Sequence, residues 1–219
     1  MNKQLHKRLI IGLFLVILGA VMAAFAHFIP YFPGDAEASQ FVQSLNSQFL
    51  TSFMTIVSQA FTGIPAALLV IACVLVIWWR LGRLEAMIMA AAGVFSPIGL
   101  LLKLFIGQPR PQTSLVNIIT PTSGLGFPSG HAFFATMVLG MLIYFIFKYV
   151  SLRPLKVLLV SGLILIILLV GFSRVYLGVH WVSEVLGGYI IACGILLPLT
   201  LYHEQRRSSN ALHEKAHTA

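Results

Sequence analysis

Charge is what this chain has least of. Asp, Glu, Lys and Arg make up 9% of its 219 residues, against about 25% in an ordinary soluble domain. With 58% hydrophobic residues and a mean hydropathy of +0.94, there is too little polar side chain to build a water-facing exterior, which excludes a soluble globular protein. Acidic residues are scarcer than basic ones, six against fourteen, giving a formal net charge of +8. That excess has a source in membrane topology, so no nucleic-acid partner is expected. Cysteine is nearly missing: Cys73 and Cys193 both lie inside apolar runs. A buried thiol behaves as a small hydrophobe, so neither a disulfide framework nor a cysteine metal site is indicated.

What is abundant is uninterrupted apolar sequence. A transmembrane helix needs about 20 mostly apolar residues, and six stretches qualify: 9–29, 62–79, 86–106, 128–147, 155–172 and 181–202. The first is too long for a signal-peptide core, and Pro30-Tyr31-Phe32-Pro33 is a poor cleavage site, so a retained span is expected. Between the first two spans, 34–59 is polar, but Phe41, Leu45, Phe49, Phe53 and Val57 recur every four residues. That period predicts an amphipathic helix along the membrane surface. The fold class expected is all-α: a polytopic membrane protein of six transmembrane helices with one surface helix. Residues 1–219 form a single integral-membrane domain, and 203–219 form a polar cytoplasmic tail.

Cytoplasmic loops are enriched in Lys and Arg. In a six-span topology eleven basic residues fall on one side: Lys3, Lys7, Arg8, Arg80, Arg83, Lys148, Arg153, Lys156, Arg206, Arg207 and Lys215. Only Lys103, Arg110 and Arg174 fall on the other. Both termini are therefore expected in the cytoplasm of a cell-membrane protein. The ends of spans three and five and the starts of spans four and six then emerge on the extracytoplasmic face.

Three polar blocks sit at those ends: KLFIGQPRP (103–111), GFPSGHAFF (126–134) and SRVYLGVHWVSE (173–184). Ionisable residues at membrane depth are costly and mark function by default. In the first block, Gly107, Pro109 and Pro111 break the helix so that Arg110 can fold back toward Lys103. Arginine offers a planar fork of donors to phosphate oxygens, and lysine adds a compact charge. Lipid-headgroup snorkelling explains either residue alone. In the second block, Pro128 precedes a helix start at which Ser129 and Gly130 leave backbone N–H groups for an anion, with His131 beside it. In the third, His180 and Glu184 are four apart and share a helix face, so the carboxylate can orient the imidazole as in a nucleophile–base–orienter triad. Arg174 lies six residues earlier, across a turn containing Gly178.

This kit predicts phosphoryl transfer. His180 attacks phosphorus to form a phosphohistidine, and His131 protonates the leaving oxygen. Lys103, Arg110, Arg174 and the Ser129 and Gly130 N–H groups hold the equatorial oxygens. Such transition states are stabilised chiefly by position and charge, so metal independence and no cofactor are expected.

The three blocks together resemble the type 2 phosphatidic acid phosphatase family, the lipid phosphate phosphatases. Its signature is Lys, six residues, Arg-Pro; then Pro-Ser-Gly-His; then Ser-Arg, five residues, His, three residues, Asp. Here it stands as Lys103…Arg110-Pro111, Pro128-Ser129-Gly130-His131 and Ser173-Arg174…His180…Glu184. The resemblance implies a membrane phosphatase with His180 as nucleophile, His131 as acid and residue 184 as orienting carboxylate. It acts on a lipid phosphate or pyrophosphate such as undecaprenyl pyrophosphate, phosphatidylglycerophosphate or phosphatidic acid. Soluble haloperoxidases share the signature, but six apolar spans argue against that branch. One departure stands out, Glu184 where the family has Asp. The rival class is a lipid-phosphate transporter or flippase, which needs the cations but neither histidine.

Overall fold

The computed structural model describes residues 3–95 and 98–218, with side chains over 6–95 and 98–210. Ser96 and Pro97 of the expected third span, and the side chains of Lys3 and Lys215 from the charge count, lie outside these bounds. Among the described residues are nine helices and no strand. They are α1 (Lys3–Phe28), α2 (Asp35–Ser44), α3 (Gln48–Ala60), α4 (Gly63–Arg80), α5 (Arg83–Val94), α6 (Ile98–Ile106), α7 (Gly130–Tyr149), α8 (Arg153–Tyr176) and α9 (Val182–Thr218).

Among the described residues six spans are long and apolar enough to cross a membrane: His6–Phe28, Gly63–Arg80, Arg83–Ile106, Gly130–Tyr149, Arg153–Tyr176 and Val182–Asn210. The third comprises α5 and α6. Their outer faces carry exposed Leu13, Phe14, Trp79, Phe105, Leu158 and Leu165, as a lipid solvent requires. Inside, Met89, Ala92, Phe133, Met137, Met141 and Ala192 are fully buried where α5, α7 and α9 meet. In lipid no hydrophobic force draws helices together, so close packing at small residues must do so. α1 and α9 follow this rule: a Cβ on Gly19 would collide with Ile191, and one on Gly194 would press on Val16.

One expectation is corrected. Residues 34–59 form two helices, α2 and α3, broken at 45–47, where the Ser47 hydroxyl caps α3 by accepting from the Leu50 N–H at 3.1 Å. A local hydroxyl cap outweighed the apolar period. Phe41, Phe49 and Phe53 remain exposed, while the opposite polar side turns inward, burying Asp35, Ser39 and Ser58. The polar stretch from residue 203 is helical, α9 running on to Thr218.

His203 is fully buried and bridges Tyr144 Oη (2.8 Å) to Glu85 Oε1 (3.3 Å). Tyr149 donates to the same carboxylate at 2.6 Å, and Arg8 forks onto Glu204 at 2.8 and 2.9 Å. The starts of α1 and α5, the end of α7 and the polar part of α9 are thereby tied at one end of the bundle. Glu85→Ala would take away the acceptor of the Tyr149 O–H, leaving that hydroxyl only its contact from Arg207, and the partner of a His203 nitrogen, costing about 2 kcal/mol. The expected thermal midpoint in detergent falls by about 4–8 °C, and an unchanged midpoint would make this cluster incidental.

Candidate active site

The opposite end of the bundle gathers the ends of α6 and α8 with the starts of α7 and α9. α8 closes in a turn in which the Val179 and His180 N–H groups both donate to the Arg174 carbonyl, at 3.1 and 3.2 Å. Gly178 makes this turn possible: its φ is +72°, and a Cβ there would strike the Asn117 carbonyl. The turn folds Arg174 back beside His180.

His180 Nδ1 hydrogen-bonds Glu184 Oε2, which also accepts from the Trp181 N–H at 3.3 Å. Both partners are shut away from solvent, His180 at 2% and Glu184 at 0% exposure. With Nδ1 occupied, Nε2 is the nitrogen left for chemistry. The other Glu184 oxygen, Oε1, is buried without a partner and faces Gly126, where a Cβ would collide with it.

Around this pair stand the three cations. Lys103 Nζ donates to the Leu125 and Gly126 carbonyls, at 2.8 and 2.6 Å, and so holds the strand of chain that enters α7. Arg110 donates to the Val179 carbonyl at 2.9 Å, beside His180. Arg174 donates to the Ser58 hydroxyl. Burial, and then the charges of Lys103, Arg110 and Arg174, drive the protonation of His180 well below the usual imidazole range, so near neutrality it is uncharged. Arg110 is lowered by burial too, partly offset by Glu184.

His131 opens α7, its Nε2 at 2.7 Å from Thr62 Oγ1. The Ser129 N–H does not stay free for an anion as expected; it donates to the Glu184 carbonyl at 2.9 Å. Its hydroxyl is what remains, fully buried and unpartnered, as are Arg110 Nε and Arg174 Nε. Unmet buried donors carry a desolvation cost that an incoming anion would relieve. Gly130 lies under the Lys103 side chain, 3.9 Å from Cε to where a Cβ would stand.

The structure thus brings Lys103, Arg110, Ser129, Gly130, His131, Arg174, His180 and Glu184 to one end of the bundle. Ser58 and Thr62 join them unforeseen: a hydroxyl in a segment of surface-helix period, and one at the first residue of an apolar span, give no sign of pointing into a site. Among the described residues no group of three or more His, Cys, Asp or Glu side chains is placed to hold a metal ion.

Residues 84–208, more than half of the chain, match the PAP2 superfamily. The chain belongs to that family. A stretch of 100 residues is 41% identical to phosphatidylglycerophosphatase B of Bacillus subtilis, covering 44% of this chain and 45% of that protein, so the match spans under half of the relative's length. The fold is similar to the crystal structure of a transmembrane PAP2 type phosphatidylglycerolphosphate phosphatase from Bacillus subtilis, with a TM-score of 0.78, 24% identity and coverage of 89% and 96% of the two chains. It is also similar to Aquifex aeolicus LpxE, with a TM-score of 0.62, 25% identity and coverage of 77% and 97%. The family match begins within α5, so the contacts from α2, α3 and the start of α4 come from outside the shared region.

Proposed function

We propose that this PAP2 superfamily member is an integral-membrane lipid phosphatase, working through a phosphohistidine at His180 without metal. One observation carries the reading. A buried imidazole has one nitrogen tied to Glu184 and stands among three cations, while Arg110 Nε, Arg174 Nε and Ser129 Oγ have no partner. The activity named for the similar Bacillus subtilis protein supports it.

His180 Nε2 attacks phosphorus as the bond to the leaving oxygen breaks, and His131 supplies that oxygen with a proton. Water then attacks the phosphohistidine, giving its proton to His131 and releasing phosphate with His180 restored. Arg110, Arg174, Lys103, the Ser129 hydroxyl and the start of α7 at Gly130 hold the equatorial oxygens. The eleven basic residues at the other end support a site on the extracytoplasmic face of the cell membrane with cytoplasmic termini, the whole chain acting as one domain. Undecaprenyl pyrophosphate, phosphatidylglycerophosphate and phosphatidic acid are the candidate substrates. Purified protein in detergent with EDTA is expected to release phosphate from at least one of them. Lipid binding without release from any would favour a transporter or flippase.

Glu184 is the departure with a measurable consequence. Gly126 leaves room for its longer side chain, and an aspartate would draw the carboxylate back by about one C–C bond, ~1.5 Å. Glu184→Asp is therefore expected to lower kcat about 10-fold, the low end for weakening an orienting partner. Full or increased activity would show that the site accepts either carboxylate.

A further inference from the structure

Asp35 opens α2, 148 residues from its partner Ser183, and is one of the few carboxylates in the chain. It is 4% exposed. Its carboxylate accepts three hydrogen bonds: from the Ser183 N–H to Oδ1 at 2.9 Å, from the Ser183 hydroxyl to Oδ2 at 2.6 Å, and from the Phe32 N–H to Oδ2 at 2.8 Å. Ser183 lies in the first turn of α9, directly before Glu184. A helix start exposes unpaired N–H groups and a partial positive charge, both met by a carboxylate. Asp35 therefore acts as an N-cap delivered from another helix.

The position matters because of what flanks it. His180 precedes α9 in the turn, and Glu184 lies within the first turn of the helix, so their hydrogen bond spans the junction. Residues 180 and 184 keep register only if the intervening backbone is fixed, and Ser183 is where an outside group grips it. α2 is itself anchored: Gln43 donates to the Tyr176 carbonyl at 3.1 Å at the end of α8, and also engages Asn117 in the loop after α6. It is a strut across the turn that carries the imidazole.

We propose that Asp35 is a positioning residue, pinning the start of α9 at Ser183 so that Glu184 holds His180 in attacking orientation. This rests on the phosphatase reading above, and it assigns a role to a residue outside the region matched to the family.

The test uses the full chain in detergent with dioctanoyl phosphatidic acid, comparing wild type, Asp35→Ala, Asp35→Asn and Ser183→Ala. kcat and KM are measured beside amide hydrogen exchange over residues 178–186. Asp35→Ala is expected to lower kcat about 10- to 100-fold with KM little changed, and to speed exchange at the Ser183 amide. Asp35→Asn keeps one oxygen for that amide and should recover part of the rate. Ser183→Ala removes only the hydroxyl contact and should cost about threefold. If Asp35→Ala does not fold, the two milder variants decide. kcat within about twofold of wild type in both, with exchange unchanged, overturns the proposal, as does a loss confined to KM. Should wild type release no phosphate from this lipid or from the other two candidates, the phosphatase reading fails on its own, and the exchange measurement still decides whether Asp35 pins α9.

Discussion

Replacing His180 with alanine is expected to abolish phosphate release from every lipid phosphate, by a factor on the order of 10⁴ or more, as loss of a nucleophile does in other covalent hydrolases. The proposed reading makes His180 Nε2 the atom that bonds phosphorus, and no neighbour can replace it. His131 Nε2 is held by Thr62, and Glu184 Oε2, though freed of its imidazole, still accepts from the Trp181 N–H and is a far poorer nucleophile toward phosphorus. Lipid binding should survive the substitution because the cations remain. Turnover within about twofold of wild type would remove the phosphohistidine from the mechanism.

The same residue sets a pH signature. Only the neutral imidazole can attack. Because burial and the nearby cations lower its protonation well below the ordinary histidine value of 6.5, the acid limb of kcat belonging to His180 lies below that value. Protonation at lower pH removes the nucleophile. It also costs stability, since the unfolded chain takes up the proton earlier than the folded one. Arg110→Ala takes away one of the repelling charges and should move the limb upward toward the usual value. A limb that stays in place would mean that another group titrates.

Arg174→Ala carries the second large effect, a loss of about 10²–10³ in kcat, or about 3 kcal/mol of transition-state stabilisation. At 4% exposure Arg174 does not reach toward lipid headgroups, so snorkelling does not account for it. One guanidinium nitrogen binds the Ser58 hydroxyl, while Nε is left without a partner. A buried cation with an unmet donor beside a nucleophile is placed to meet charge that grows on the equatorial oxygens. Lysine should not restore the rate, because a point charge cannot present a planar fork. If Arg174→Ala loses less than about twofold in kcat, the residue serves the packing of α3 on α8 and nothing more.

The spans were legible because hydropathy is a local and additive property: a run of apolar residues must be buried in lipid whatever else the chain does. The meeting of the three blocks at one end followed from the alternation of the six spans. The pairing of His180 with Glu184 was legible as a contact four residues apart, but not its setting: the expected shared helix face is corrected, because His180 stands in the turn before α9 and the bond reaches across the helix start. Other features lay outside any local pattern. The Ser129 N–H turned to the Glu184 carbonyl rather than to an anion. Ser58 reached the site from a segment whose period spoke only of a surface, and Thr62 from the edge of an apolar span. Asp35 found Ser183 across 148 residues.

By itself, then, the order of residues determined that this chain spans a membrane six times and carries its chemistry-bearing groups at one end. Which donors stay free and which are consumed by carbonyls were decided only by tertiary structure. The physical reason is that burial is encoded in each residue's own transfer energy. A hydrogen bond depends on two groups whose separation along the chain has no bearing on whether they meet.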